Sequence, residues 1–178
     1  MRRWDITAKD EMKKLLFIFA ATLCLSACEK NAEIESTTEA VFVDLGLPSG
    51  TKWKSANEKN PKDGGRYFNY YDAEAYFGNS LPTKKQLEEL KNRCQWSWNG
   101  NGYTITGPNG ESIVLPAAGF RYPYGGNVDY VGKIGNYWSR TMNDNTALIW
   151  PWAFDFDANE VNIYSYEQNN WFTVRLVQ

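Results

Sequence analysis

No histidine occurs anywhere in the 178 residues, and cysteine occurs only at Cys24, Cys28 and Cys94. The first absence removes the Ser/His and Cys/His nucleophile pairs and the usual zinc ligand sets together. Enzyme chemistry would have to rest on carboxylates, lysine or tyrosine. The scarcity of cysteine reaches as far: Cys24 and Cys28 fall in an N-terminal apolar stretch, so Cys94 is the only thiol of the folded part and no internal disulfide is expected. Cys94 follows Leu87 by seven residues on a predicted helical face, the setting of a buried structural thiol. Long apolar runs are missing as well. The run Leu15 to Ala27 has thirteen residues, short of the roughly 17–25 that a membrane-spanning helix needs.

What stands at the N-terminus instead is a secretion signal. Lys13 and Lys14 supply a positive start, Leu15 to Leu25 an apolar stretch, and Leu25-Ser26-Ala27-Cys28 resembles the box at which bacterial signal peptidase II cuts. Residues 1–27 are then a signal peptide, with Met12 a plausible true start, and Cys28 carries lipid. Removing residues 1–27 takes away five basic and three acidic residues and leaves a net charge of −4. A mildly acidic chain without a basic stripe excludes nucleic acid as a partner, because such affinity rests on neutralised phosphates. Residues 28–40 hold few large apolar groups and read as a flexible tether. The expected partner there is the membrane, through lipid at Cys28, and the expected location is the bacterial outer membrane, with surface and periplasmic display both open.

Residues 41–178 read as one domain. Val41 to Leu45 is β-rich, and Leu47-Pro48-Ser49-Gly50 turns the chain into Thr51 to Ser55. Two early helices are predicted. One covers Asp72 to Phe77 and stops at Gly78; the other opens on Thr83, with Gln86 three residues on in a capping-box pattern, and places Leu87, Leu90 and Cys94 on one face. Period-two patterning follows. Trp96 and Trp98 alternate with polar residues, and turns at residues 99–102 and 107–110 bound strands at Tyr103 to Thr106 and Ser112 to Leu115. Later strands are expected at Tyr137 to Ser139, Ala147 to Phe156, Val161 to Tyr164 and Phe172 to Val177. The predicted class is α+β, with helices early and mainly antiparallel short strands late.

Five segments in order carry a family resemblance: Val43 to Trp53, Leu81-Pro82-Thr83, Leu115 to Arg121, Tyr137-Trp138-Ser139 and Val174 to Val177. Residues 41–178 resemble the Fibrobacter succinogenes major paralogous domain, found in Bacteroidetes lipoproteins and related to C-type-lectin-like domains of the formylglycine-generating-enzyme superfamily. The resemblance implies a C-type-lectin-like fold with a terminal sheet and a long loop excursion that carries binding. Asn79-Ser80 replaces the Trp-Arg pair of the family pattern.

Between Phe120 and Phe172 there are fourteen Phe, Tyr or Trp in 53 residues. Flat aromatic faces stack on sugar rings while Asn or Asp bonds the hydroxyls, and aromatics also anchor protein interfaces. About half of them are assigned to the core. The candidate ligand-binding residues are Tyr122, Tyr124, Tyr130, Asn143, Asp144, Trp150, Trp152, Tyr164, Tyr166 and Trp171. Trp150-Pro151-Trp152 stands out, because strand alternation sets both tryptophans on one side while the proline favours an edge or a bulge. Asn143-Asp144 is similar to part of a calcium-dependent lectin site, but Met142 stands where that site has tryptophan. Residues 155–160 mimic the start of a calcium loop without its sixth-place glycine and read more simply as a hairpin turn. No metal and no cofactor is expected. Nothing marks a carboxylate pair among Asp155, Asp157 and Glu160, and no cysteine follows Cys94, so the expectation is a non-catalytic domain. Its ligand is expected to be a glycan or polysaccharide; the alternative is a structural or adhesive protein that contacts other proteins.

The lipid anchor is testable at Cys28. Each buried CH₂ contributes about 0.8 kcal/mol to membrane binding, so Cys28→Ser is expected to leave an unprocessed or soluble form on fractionation. A Cys28→Ser chain that still partitions with membranes would contradict the anchor.

Overall fold

The computed structural model describes residues 41–123, 126–145 and 148–178. The chain enters through a small antiparallel hairpin, β1 (Phe42–Asp44) and β2 (Lys52–Lys54), with Val43 opposite Trp53. The other edge of β2 takes up the C-terminus: Lys52 N–H donates to the Gln178 carbonyl at 3.0 Å and receives the reciprocal bond at 3.1 Å. Trp53, 1% exposed, is thereby closed in between Val43 of β1 and Val177 of the C-terminal segment.

Helix α1 spans Tyr70–Phe77. It begins two residues before the Asp72 start that the sequence suggests, because Asn69 caps it, its side chain accepting from the Asp72 N–H at 2.8 Å. A 3₁₀ turn, Gly78–Ser80, leads to α2, Lys84–Arg93. There Thr83 and Gln86 form the reciprocal capping box, and Leu87 and Leu90 turn inward. Cys94 is the C-cap in extended conformation, so it packs at the end of the helix and not along its apolar face. Burial pushes its thiol up to about 11, which leaves it unreactive at neutral pH.

Three strands follow as a meander: β3 (Gln95–Trp98), β4 (Gly102–Thr106) and β5 (Ser112–Pro116). Their alternation gathers Trp96, Tyr103, Ile105, Ile113 and Leu115 on one side. A two-stranded ribbon, β6 (Phe120–Arg121) with β7 (Val128–Asp129), precedes the largest sheet, in which β9 (Trp150–Phe156) lies between β8 (Gly135–Asn143) and β10 (Val161–Ser165).

That last sheet is buried on both faces. Tyr137, Phe154 and Phe156 face one apolar cluster with Leu87, Leu90, Trp53 and the meander; Trp138 and Ala153 face a second with Phe68, Tyr70, Ala73, Leu81 and Phe172. Pro151 is accommodated in the central strand at the end of its pairing with β10: its carbonyl accepts from Tyr166 N–H at 3.0 Å, so the N–H it lacks faces that side, just past the last β9–β10 pair at Trp152 and Ser165, while β8 on the other side is irregular between Trp138 and Met142. The extra residues of β8 dock on the start of α2, where Arg140 N–H donates to the Pro82 carbonyl at 2.8 Å and Thr141 Oγ1 accepts from Lys84 N–H at 2.9 Å.

Two expectations need correction. The predicted strand Phe172 to Val177 is a run of isolated bridges whose partners change along it: Phe172 with Phe68, Thr173 with Tyr137, Val177 with Trp53. The α+β, C-type-lectin-like class is also not met. The described residues form small antiparallel sheets with two α-helices of 8 and 10 residues, a β-rich fold with little helix. Each helix buries only two residues, too little to build a helical layer.

Trp138 is fully buried, stacks within 4.3 Å of Phe172 and donates its indole N–H to the Phe68 carbonyl at 2.8 Å. Trp138→Ala is expected to cost about 3–5 kcal/mol in urea denaturation. A loss below about 1 kcal/mol would show that the second cluster does not depend on it.

Candidate functional site

One end of the central sheet, on the face of Trp138 and Ala153, opens into a pocket of about 270 Å³. Its walls are aromatic: Phe120, Tyr122, Tyr166 and Phe172, with Ile134 and Asn170 completing the rim. Asn136 and Asp155 form the polar part, directly paired across β8 and β9, so the strand register itself aims both at the pocket.

The polar groups form a chain. The Tyr166 hydroxyl donates to Asp155 Oδ2 in a short hydrogen bond, and Asn136 Nδ2 donates to the same oxygen at 3.3 Å. Asn136 is 2% exposed, and its Oδ1 has no hydrogen-bond partner among the described residues. A buried acceptor left unmade costs about 1–3 kcal/mol, which marks Asn136 as a group awaiting a donor. Its backbone is held firmly: Thr173 donates to the Asn136 carbonyl from N–H at 3.0 Å and from Oγ1 at 2.6 Å.

Phe120 organises the aromatic side. Its ring meets Tyr122 edge-on at 5.0 Å, stacks on Tyr130 at 5.7 Å and touches Phe172 at 6.3 Å. Gly119 delivers it with φ +70°, at a point where a Cβ would come within 2.1 Å of the Asp129 carbonyl oxygen. Tyr130 is held at φ 59°, the only non-glycine residue among those described with a positive φ. This conformation costs about 1–2 kcal/mol for an L-residue, and such strain gathers where side chains are placed for function. Tyr122 and Tyr130 are each 49% exposed. Arg121 lies over the Trp171 ring at 5.0 Å, next to the pocket.

Of the residues singled out from sequence, Tyr122 and Tyr166 line the pocket, Tyr130 stacks on its wall, and Trp171 adjoins it through the Arg121 bridge. Trp150 and Trp152 do not join them. Register puts Trp152 opposite Ser165 and Trp150 opposite Asn143, on the other face of the sheet from Asp155, and Lys84 Nζ covers the Trp152 ring at 3.7 Å. The expected surface combining these tryptophans with Tyr166 is therefore split between two faces. Tyr164 shares the pocket's face at the sheet edge but stands outside the lining.

Asn143 is buried and builds a turn, its Oδ1 accepting from Asn145 N–H at 3.1 Å and its Nδ2 donating to Ser165 Oγ. Asp144 is exposed beside it, and no group of three acidic, cysteine or histidine residues suited to a metal occurs among the described residues. Asp157 spends Oδ1 on the N–H groups of Asn159 and Glu160 in the β9–β10 hairpin. Tyr124 and Cys28 lie outside the described residues.

Phe120, Ile134, Asn136, Asp155, Asn170 and Phe172 were not singled out as ligand-binding from sequence. The usable signal was Asp155, a carboxylate inside a strand whose other members are apolar or aromatic. Asn136 carried no such signal, since β8 also holds Ser139, Arg140, Thr141 and Asn143.

Burial, and after it the Asp155 carboxylate, push the Tyr166 phenol well above the ordinary tyrosine value. The folded value lies above the unfolded one, so this contribution to stability is whole below about pH 10 and is lost as pH rises further. Tyr166→Phe is expected to leave tyrosinate absorbance between about pH 9 and 10.5 unchanged. Loss of one tyrosine's amplitude from that step would contradict the burial and pairing of this phenol.

No curated protein and no solved structure matches the chain. Residues 83–177 match the model of a family described as a domain of unknown function, DUF8237. The matched span runs from the Thr83 cap through every lining residue of the pocket to Val177, more than half of the 178 residues. On that match, the chain belongs to the DUF8237 family.

Proposed function

We propose that this is a lipid-anchored cell-envelope protein of the outer membrane whose pocket at Phe120, Asn136 and Asp155 binds one residue of a glycan or polysaccharide without cleaving it. The observation that carries the reading is the pairing of aromatic walls with the Tyr166–Asp155–Asn136 chain and its unpartnered Asn136 Oδ1. Aromatic faces offer a surface for the C–H groups of a sugar ring. Asp155 accepts from hydroxyls, and the orphan amide oxygen accepts from one more. A volume near 270 Å³ falls just below the roughly 300–1,000 Å³ of pockets that enclose whole drug-sized ligands. It suits a single ring of a longer chain that continues over the exposed Tyr122 and Tyr130.

Among the described residues, Asp155 is the only carboxylate lining the pocket. Hydrolysis of a glycosidic bond uses two flanking carboxyl groups, so the lining favours binding over cleavage. No helix among the described residues is long and apolar enough to cross a membrane, and the attachment we propose is the lipid at Cys28.

A protein-contact reading draws on a different observation, the exposed Tyr122, Val128, Tyr130 and Val131 beside the pocket. Such a patch is the kind that docks partners.

A polysaccharide and mucin array probed with the purified protein, with and without EDTA, separates the readings. Binding is expected to survive EDTA and to be competed by soluble sugar. Asp155→Ala should weaken it about tenfold to a hundredfold, the loss of a charge-assisted hydrogen bond, and Tyr122→Ala should weaken it too, while Trp150→Ala and Trp152→Ala leave it intact. Loss on Trp150→Ala with none on Tyr122→Ala would move the site to the opposite face. A partner indifferent to sugar would establish the protein contact instead.

A further inference from the structure

A second and larger cleft, of about 460 Å³, lies between the loop that follows β2 and the end of β5. Arg175 lies in its floor, 2% exposed, with Asn57, Val114 and Pro116 around it and Lys59 and Arg66 on the exposed lip. The guanidinium donates from Nε to Asn57 Oδ1 at 2.8 Å, from Nη1 to the Lys54 carbonyl at 2.7 Å and from Nη2 to the Val114 carbonyl at 2.7 Å. All three acceptors are neutral. Among the described residues no carboxylate lies within ion-pair distance of Arg175, and Glu58, the one acidic residue among those lining the cleft, is paired with Lys54.

A buried cation without a counter-charge is costly to hold, and the cost falls when an anion enters the same low-dielectric space. Burial pulls Arg175 down from its ordinary value, with the Tyr137 hydroxyl and the Glu58 carboxylate acting the other way. Lys59, Arg66 and Arg175 make the cleft cationic on a chain whose net charge is −2.

The wall is built, not draped. Asn60, 1% exposed, ties the loop together: its Nδ2 donates to the Tyr67 carbonyl at 2.8 Å, its Oδ1 accepts from Lys62 N–H at 3.0 Å, and its backbone bonds both Gly64 and Gly65. Tyr67 in turn donates its hydroxyl to the Ala118 carbonyl, closing the loop against the chain that leads to Phe120. A preorganised cationic cleft loses little entropy on binding.

We propose that this cleft binds the carboxylate or sulfate group of an acidic saccharide, held by Arg66 and Lys59 over the field of Arg175. The anion site is argued from its own residues; that its bearer is a saccharide rests on the reading of the pocket above.

Calorimetry of the full-length chain with trigalacturonate and with its neutral methyl ester tests it. The acid is expected to bind at least tenfold more tightly than the ester and to weaken as salt rises. Lys59→Glu with Arg66→Glu, both exposed and free of core contacts, should remove that preference, while Lys85→Glu on the outer face of α2 should keep it. Equal binding of acid and ester overturns the proposal, as does a preference that survives the double variant or falls equally with Lys85→Glu. A preference for a glutamate peptide over trigalacturonate would overturn the saccharide assignment. Tyr122→Ala separates the two sites: acid binding that it abolishes and the double variant spares would belong to the pocket and overturn the cleft. Acid binding through the cleft in a chain that ignores all neutral sugars would uphold the cleft and sink the pocket reading.

Discussion

The seven residues Trp171 to Val177 hold the domain together, and they do so without being a strand. Four of them bridge different segments: Trp171 pairs with Arg121 of β6, Phe172 with Phe68 ahead of α1, Thr173 with Tyr137 of β8 and Val177 with Trp53 of β2. Arg175 adds three more anchors, to Asn57, Lys54 and Val114. In a protein of short antiparallel sheets, no single sheet is large enough to form a core by itself. A threading segment that pairs with several of them turns separate ribbons into one packed body. Placing a guanidinium at its centre is costly in desolvation, yet five N–H donors in a rigid fork satisfy carbonyls from several segments at once, which no apolar side chain does.

The same segment builds both candidate sites. Phe172 forms a wall of the aromatic pocket, Thr173 fixes the backbone of Asn136, and Arg175 floors the cationic cleft. The pocket is made wholly of residues inside the span shared with the DUF8237 family. The cleft is not: its lip at residues 55–66 precedes that span, while Val114, Pro116 and Arg175 belong to it. The cleft therefore joins the span matched by the family to the loop that follows β2.

Local chemistry was readable before any coordinates. The Thr83–Gln86 capping box, the turns around residues 99–102 and 107–110 and the alternation of β4 and β5 follow from spacing alone, because each depends on neighbours within a few residues. What misled was what depends on distant partners. Phe172 to Val177 alternates well enough to predict a strand, but its partners change residue by residue. Trp150 and Trp152 share a face as alternation requires, yet Lys84 from α2 covers the Trp152 ring, and the irregularity of β8 opposite them is not visible in β9.

By itself the sequence determined what chemistry is unavailable, since a chain without histidine has neither the Ser/His and Cys/His nucleophile pairs nor the usual histidine-containing zinc ligand sets. It also determined an aromatic-rich domain of short strands, because composition and short-range period are properties of the chain. Only the tertiary structure decided which aromatics meet a polar group. Asn136 faces Asp155 through cross-strand register, Phe120 reaches Phe172 through the C-terminal thread, and Glu58, the carboxylate that lines the cleft with Arg175, is paired with Lys54. Those are relations between residues 19 to 117 positions apart, and only the packed fold brings such residues within reach of one another.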